Sequence, residues 1–406
     1  MAPPIQRAER KRCEDVRLRG FSTRASLEEA TAWLDAHGER LAVEEVAASE
    51  AVGRVIAGPI RADVSYPTAP RAAEDGYALR SRETIGAGTY NPLRFALQSA
   101  GVALRDEAAA LVAAGTALPA GADTVLPFSA AQVEGAWLEV TGAVAQGTGV
   151  EPEGHEVRAG AEPIASSRLV RPEDAALLAA LHLEHVSAVR RPRVRLVIAG
   201  PKGAGCASSA DADGPALERL VARDGGLVED VVRGASDRSA LAAAVARPGA
   251  DAILVAGRTG TGPDDDAPLA LADVGELDVH GVALRPGGSA GLGLVGNIPV
   301  VLLPGAPLSC QCAYELLAGR LVRRLGGREP GLPHAVEQAE LGSKIVSVVG
   351  FTDVCWVCLE RGRAELIASA DDAGLGAAAR ADGFVLVPAP LEGYAPGSRV
   401  AVHRYH

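Results

Sequence analysis

The first helical period in the chain begins at a cap. Ser26-Leu27-Glu28-Glu29 has the form of a capping box, with Ser26 as cap and Glu29 reaching back to it. Leu27, Ala30, Trp33 and Leu34 then form one apolar stripe. A second short helical pattern covers 44–55. From 61 to 147 the period changes: short apolar runs such as 93–97 and Trp137–Val140 alternate with Gly and Pro turns. That spacing predicts a β-rich module inserted into a helical one. Arg171-Pro172-Glu173-Asp174 predicts another helix start, with Pro in the first turn and two carboxylates at its positive end.

From Arg191 the pattern becomes alternating strand and helix. Arg193–Ala199 and Ala252–Ala256 are apolar runs of the buried parallel type, and 300–303 is a third, ending in Pro304-Gly305. Helical patterns at 215–223 and 309–325 lie between and after them. The combination predicts a doubly wound sheet with ligands outside the C-terminal strand ends. After a Gly/Pro linker at 328–333, strands return at 345–349, 354–359, 384–388 and 399–403, predicting a small C-terminal β domain. The expected fold is thus multidomain α/β, with a leader at 1–23, an N-terminal domain in two segments (24–60 and 148–190), a β-rich insert at 61–147, an α/β domain at 191–327 and a β domain at 328–406.

Composition narrows the function classes. The 406 residues carry a net charge of −11, and the few lysines are Lys11, Lys202 and Lys344. An acidic chain without a long basic run is a poor ligand for nucleic acid or anionic membranes. No stretch reaches the roughly 18–20 apolar residues of a membrane span, and the charged N-terminus lacks the apolar core of a secretory signal. A cytoplasmic protein with free thiols is expected. Cys310-Gln-Cys312 and Cys355-Trp-Val-Cys358 invite a zinc reading. A strand, however, would put Cys355 and Cys358 on opposite faces, so core cysteines are expected; Cys13 and Cys206 complete the set of six.

Three constellations could carry chemistry. The strand ending at Ala256 runs into Gly257-Arg-Thr-Gly-Thr-Gly-Pro-Asp-Asp-Asp266. The glycines allow backbone N–H groups close to an anion, Thr259 and Thr261 add hydroxyls, and carboxylates beside a phosphate hold a divalent cation. Arg285-Pro286-Gly287-Gly288 and Pro304-Gly305-Ala306-Pro307-Leu308-Ser309 follow strands and can face the same cleft, Arg285 being the cation suited to a phosphate. Ala72-Ala73-Glu74-Asp75-Gly76-Tyr77-Ala78 places two carboxylates before a Gly turn. Alone, the first two of these are better read as surface turns, the third has an exposed turn as its alternative, and Asp123 in Leu118-Pro-Ala-Gly-Ala-Asp123 reads as a residue satisfying backbone N–H groups.

Taken in order along the chain, these segments resemble the molybdopterin molybdenumtransferase family, the molybdenum insertases that include the gephyrin E-domain. The resemblance covers roughly 26–402. The family's Ser-x-Met-Asp-Gly-Tyr-Ala element is similar to 72–78, and its Thr-Gly-x-x-Leu-Pro-x-Gly-Ala-Asp element to 114–123. Its Gly-Glu-Asp-Ile turn resembles Gly154-His155-Glu156-Val157, and its Asp-Ser-Asn resembles Asp211-Ala212-Asp213. Its Gly-Gly-Val-Ser-Val-Gly-Asp-x-Asp loop resembles 257–265, its Lys-Pro-Gly-Lys-Pro resembles 285–289, and its Pro-Gly-Asn-Pro-Val-Ser resembles 304–309. Lys344-Ile-Val-Ser and Glu392-Gly-Tyr are also family-like.

The resemblance implies a doubly wound molybdopterin-binding domain and an elongated homodimer whose site lies between one subunit's α/β domain and the partner's first domains. It implies adenylylated molybdopterin and molybdate as substrates, Mg²⁺ as cofactor and AMP as product. Asp75, Asp211 and Asp265 would then serve catalysis. Gly257, Thr259, Gly260, Thr261, Gly262, Arg285, Pro286, Pro304, Gly305, Pro307 and Ser309 would hold the pterin phosphate. Asp264, Asp265 and Glu156 would face metal.

Several positions depart from the family. Ala72 and Ala114 replace hydroxyl residues, Gly288 replaces a Lys, and Pro201-Lys202 stands where the family has Asp-Glu. They motivate a second reading: a homologue that binds or delivers the cofactor, or serves as scaffold for a client molybdenum enzyme, without turnover.

Overall fold

A computed structural model describes residues 15–99, 101–200 and 211–405. Cys13, Cys206 and the Pro201-Lys202 dipeptide lie outside the described residues, as does most of the leader. Contacts divide the chain into two units, one comprising Glu45–Val52 and Ile56–Ala188, the other Met1–Glu44, Gly53–Val55 and Val189–His406.

In the larger unit a six-stranded sheet runs in the order Leu227–Ala235, Arg193–Ala199, Ala252–Ala256, Ile298–Leu303, Gly291–Val295, Glu276–His280. The first four strands are parallel and the last two antiparallel. The uninterrupted apolar run of Ala252–Ala256 follows from cover on both faces. Leu254 packs with Leu196, Leu217, Val221, Val301 and Leu317 on one side. Ile253 and Val255 pack with Leu241, Val245, Leu271 and Leu302 on the other. This is the expected doubly wound arrangement.

The capping box at Ser26 forms in full. The Glu29 N–H donates to Ser26 Oγ at 3.0 Å and the Ser26 N–H to Glu29 Oε2 at 2.8 Å. The helix it starts, Leu27–His37, sends Ala30 and Leu34 into the same core as Leu317 and Leu321. Arg320 adds a bidentate pair to Asp35 at 2.7 Å. An amphipathic stripe needs an apolar partner, and here the partner is the C-terminal helical layer of the α/β body. Sequence spacing groups this helix with 148–190; contacts group it with 189–405.

The C-terminal strands close on themselves. Thr352–Glu360 pairs with Arg363–Ala368 on one side and Gly383–Val387 on the other, and Ala335–Leu341 with Arg399–Arg404 completes the ring. Closure leaves no free central edge. The two-residue strand Leu284–Arg285 joins this barrel, parallel to Thr352-Asp353. Cys355 is fully buried among Leu341, Val357 and Val385, whereas Cys358 is half-buried.

In the smaller unit six short strands form one sheet, ordered Thr124–Pro127, Gly76–Leu79, Ala108–Val112, Leu93–Gln98, Trp137–Val140, Gln132–Glu134. Leu79, Phe95, Leu126 and Leu138 fill its core. A second cluster of Ile56, Ile164, Val170, Leu178 and Val186 anchors the helix Pro172–Ala180. Among the described residues no helix is long and apolar enough to cross a membrane.

Candidate functional site

Two parallel strands end side by side, and the loops that follow them touch. The Gly257 N–H donates to the Leu303 carbonyl at 2.9 Å. A Cβ on Gly305 would stand 3.0 Å from the Gly257 Cα, and Gly257 itself has φ +95°. Close approach of backbone favours glycine at 305, and the positive φ favours it at 257. The Thr259 hydroxyl lies 3.0 Å from Ser289 Oγ, tying the 257–266 loop to the 285–289 loop, and the Thr259 carbonyl is 2.8 Å from His280 Nε2. Burial lowers the pKa of His280, keeping the ring neutral near pH 7. The segments 257–266, 285–289 and 304–309 therefore meet at the C-terminal edge of the sheet, where open α/β sheets bind ligands.

The three carboxylates of the loop do different things. Asp265 Oδ2 accepts from the Gly262 N–H at 2.7 Å, folding the half-buried carboxylate back over the loop. Asp266 is nearly buried and pairs with Arg17 at 2.6 Å and Arg258 at 3.2 Å. Asp264 is exposed, and its carbonyl accepts from Arg258 Nε at 2.7 Å. Arg258 stands in the left-handed region at φ +59°, an uncommon place for a residue with a side chain. The Arg258 side chain is held there by Asp264, Asp266 and the Ser236 carbonyl. The segment before the first helix is laid along the same loop, since the Leu18 N–H donates to the Thr261 carbonyl at 2.8 Å.

Two of the expected residues are already engaged. Arg285 bonds Asp353 through Nε at 2.8 Å and Nη2 at 2.5 Å, and Asp371 through Nη1 at 3.1 Å. Asp353, and secondarily Asp371, hold the Arg285 proton more tightly than usual. Asp211 accepts from the Gly214 N–H at 2.7 Å and from Arg233 Nε at 3.0 Å, so it caps the helix Asp213–Arg223.

Asp211 holds its proton less tightly than usual, and Asp213 more tightly. Burial, then the Asp211 charge, pushes the Asp213 pKa to about 6, and its Oδ1 is buried without a hydrogen-bond partner. The Cys310 thiol lies against the same carboxyl, and burial raises its pKa well above the usual thiol range. Because the folded chain binds the Asp213 proton more tightly than the unfolded chain, this group's contribution to stability is fully present below the ordinary Asp value and is lost as pH rises from about 4 to about 6. Asp213→Asn, neutral throughout, is expected to gain stability relative to the parent as pH rises through this range, read as the difference between their thermal melts. A difference that does not change with pH would remove Asp213 as a contributor.

In the smaller unit, Asp75 Oδ1 accepts from the Ala114 N–H at 2.8 Å. Asp75 stands on the wall of a cavity of about 740 Å³ shared with Leu111, Val112, Thr116 and Phe128. Glu156 is 2.7 Å from Arg71, which also pairs with Glu151. Asp123 accepts from the Ser81 N–H at 2.6 Å and its hydroxyl at 2.9 Å, the backbone role expected of it. Among the described residues no group of three or more His, Cys, Asp or Glu converges as a metal cage.

Comparison with known proteins follows the same division of the chain. Residues 25–181 match the family model described as "MoeA N-terminal region (domain I and II)", and 203–324 match "Probable molybdopterin binding domain". The two together span more than half of the chain. A Mycobacterium tuberculosis protein named molybdopterin molybdenumtransferase 2 is 27% identical over 321 residues, covering 73% of this chain and 79% of the relative. The Bacillus subtilis molybdopterin molybdenumtransferase is 23% identical over 384 residues, covering 88% and 89%. The solved structure of the molybdopterin biosynthesis MoeA protein from Pyrococcus horikosii superposes with TM-score 0.72 at 26% identity, over 95% of this chain and 100% of that one. This chain belongs to the molybdopterin molybdenumtransferase family.

At these identities it is a divergent member of the family. The family's second loop glycine is Arg258 here, held by an ion pair that a glycine could not make. Sequence reasoning missed Arg17, Arg24, Arg258, Asp353 and Asp371. Arg258 was visible as a non-glycine in a Gly-rich loop. The other four lie 68 or more positions from the loop residues they meet, and no local pattern marks them.

Proposed function

We propose that this protein is a molybdopterin molybdenumtransferase that inserts molybdate into adenylylated molybdopterin, with Mg²⁺, and releases AMP. The observation that carries this reading is the junction of the 257–266, 285–289 and 304–309 loops at one sheet edge, in a chain of this family. Backbone N–H groups and the Thr261 hydroxyl of the first loop suit a phosphate. Asp265 fits a Mg²⁺ held largely by phosphate oxygens and water, because Mg²⁺ takes one or two carboxylates rather than a full protein cage. Asp266 does not fit, since Arg17 and Arg258 occupy it. When bound, the cation offsets charge on the phosphates at the leaving group.

A second reading, a cofactor-binding or delivery protein without turnover, is favoured by Ala72 and Ala114, which offer no hydroxyl, and by the engagement of Arg285 and Asp211 within the protein. Purified protein with adenylylated molybdopterin, Mg²⁺ and molybdate separates the two. AMP release supports the transferase. Tight binding without AMP supports the carrier.

The reading extends to a homodimer in the cytoplasm, with a molybdenum enzyme as eventual client. Sedimentation at micromolar protein is expected to show a species of twice the 41.4 kDa chain mass. A single species at the chain mass would remove the dimer.

A further inference from the structure

We propose that Arg24 is the anion-binding cation of the loop site, contacting the doubly charged tetrahedral oxyanion that the site takes; this rests on the function proposed above. The oxyanion has two possible sources with the same chemistry, the phosphate monoester of the pterin and free molybdate.

The sequence points to Arg285 for this task, but Arg285 is not available. Its guanidinium faces two carboxylates, Asp353 and Asp371, so the group as a whole is negative. Asp353 is almost completely buried, and the pairing of Leu284–Arg285 with Thr352-Asp353 sets the two side chains together. An incoming anion would have to displace a buried carboxylate.

Arg24 is differently placed. The segment around it is fixed beside the loop: the Ala25 N–H donates to the Gly281 carbonyl at 3.0 Å, and the Ala283 N–H to the Ala25 carbonyl at 2.8 Å. The Arg24 guanidinium carbon lies 4.7 Å from the Phe21 ring centre and 5.6 Å from that of Phe351. Phe351 carries Arg285 at 5.6 Å as well, so both cations border one ring. A Cβ on Gly288 would be 3.6 Å from Arg24 Nε, which places the Arg24 side chain over the 285–289 loop. The next residue, Ser289, touches Thr259 of the phosphate loop at 3.0 Å. Arg24 is exposed, and among the described residues its contacts are with rings and not with a carboxylate. Two aromatic faces orient the guanidinium and leave its N–H donors open. At the position where the family element has its second Lys, this chain has Gly288, and the cation over it comes from Arg24.

The test is fluorescence titration of the full chain with phosphate-bearing molybdopterin in its oxidised form, with the same pterin after phosphatase treatment, and calorimetry with molybdate alone. Arg24→Ala is expected to weaken binding of the phosphate-bearing pterin, or of molybdate, roughly tenfold, as for loss of one charge-assisted contact. Whichever probe responds identifies the source. Arg24→Lys is expected to stay within about threefold of the parent, since charge is kept and the planar fork lost. The double variant Arg24→Ala with Gly288→Lys is expected to recover most of the loss, because the charge returns over the same loop; a Cβ there meets the Leu284 carbonyl at 3.2 Å, a small adjustment.

Equal losses for the phosphate-bearing and phosphatase-treated pterins would mean that Arg24 acts by packing, and would overturn the proposal. So would parental affinity of Arg24→Ala for both oxyanions. A parent protein that binds neither pterin nor molybdate would instead overturn the proposed function, and this inference with it.

Discussion

Asp265→Asn is expected to lower AMP release about 100-fold while leaving the fold intact, the loss of one preorganised charge at a phosphate-transfer centre being of that order. The fold survives because the tie that orders the loop survives: the Gly262 N–H needs an oxygen acceptor at 2.7 Å, and an asparagine amide supplies one. What disappears is the charge that would hold Mg²⁺ against phosphate oxygens. Asp264→Asn should be mild, since that side chain is exposed. Asp266→Asn should behave in the opposite way to Asp265→Asn. It takes the Asp266 charge from the mostly buried Arg258 and leaves Arg17 to Asp15 alone, which costs about 2 kcal/mol of stability, and it disturbs the loop through Arg258. AMP release at several Mg²⁺ concentrations, with melts of each variant, separates these effects. Parental rates in all three variants would show that this loop does not handle the cation.

The largest loss of stability is expected at a site remote from the loop. Asp224 ends the helix Asp213–Arg223 and is fully buried. Arg323 pairs with it at 2.9 Å, Arg223 at 3.0 Å, and the Tyr314 hydroxyl donates to it at 3.1 Å. Arg223 also grips Glu315 at 2.6 Å, and Glu315 meets His334 at 3.2 Å. This network joins two helices of the α/β domain to the start of the barrel strand Ala335–Leu341. Removing one member of a buried pair strands the other in a medium that solvates it poorly, so Asp224→Ala is expected to cost about 3–5 kcal/mol. That corresponds to a melting point lower by roughly 10 °C in a unit of this size. Tyr314→Phe, which removes a single neutral donor, should cost about 1 kcal/mol. If Asp224→Ala melts within about 2 °C of the parent, the buried carboxylate is not what fastens these helices.

The elements that sequence alone made legible share one property: their signal lies within one turn or one strand. Ser26 and Glu29 are three residues apart, and their reciprocal bonds form as the spacing demands. Ala252–Ala256 reads as a buried parallel strand because five consecutive apolar side chains need cover on both faces, and it has it. The Gly-rich turn after it is likewise visible, since Gly257 needs the positive φ that glycine allows. The site residues were less legible because a carboxylate or guanidinium has no fixed partner until the chain folds. Arg285 looks like a free phosphate ligand in sequence, yet Asp353 and Asp371 reach it from 68 and 86 residues away. Asp211 looks like a catalytic acid, yet it caps its own helix and pairs with Arg233.

By itself, then, the sequence determined the α/β body, the β-rich insert and the C-terminal β domain. It also determined the loops where a phosphate can approach backbone and the family to which their order belongs. These depend on periodicity, volume and backbone freedom, which short-range sequence encodes directly. Only the tertiary structure decided how the charges are shared. It set Asp266 between Arg17 and Arg258, closed Arg285 between two carboxylates, raised the proton affinity of Asp213, and left Arg24 open over Gly288. The physical reason is that an ion pair's strength depends on distance and burial, and both are set by segments that meet only in the folded chain.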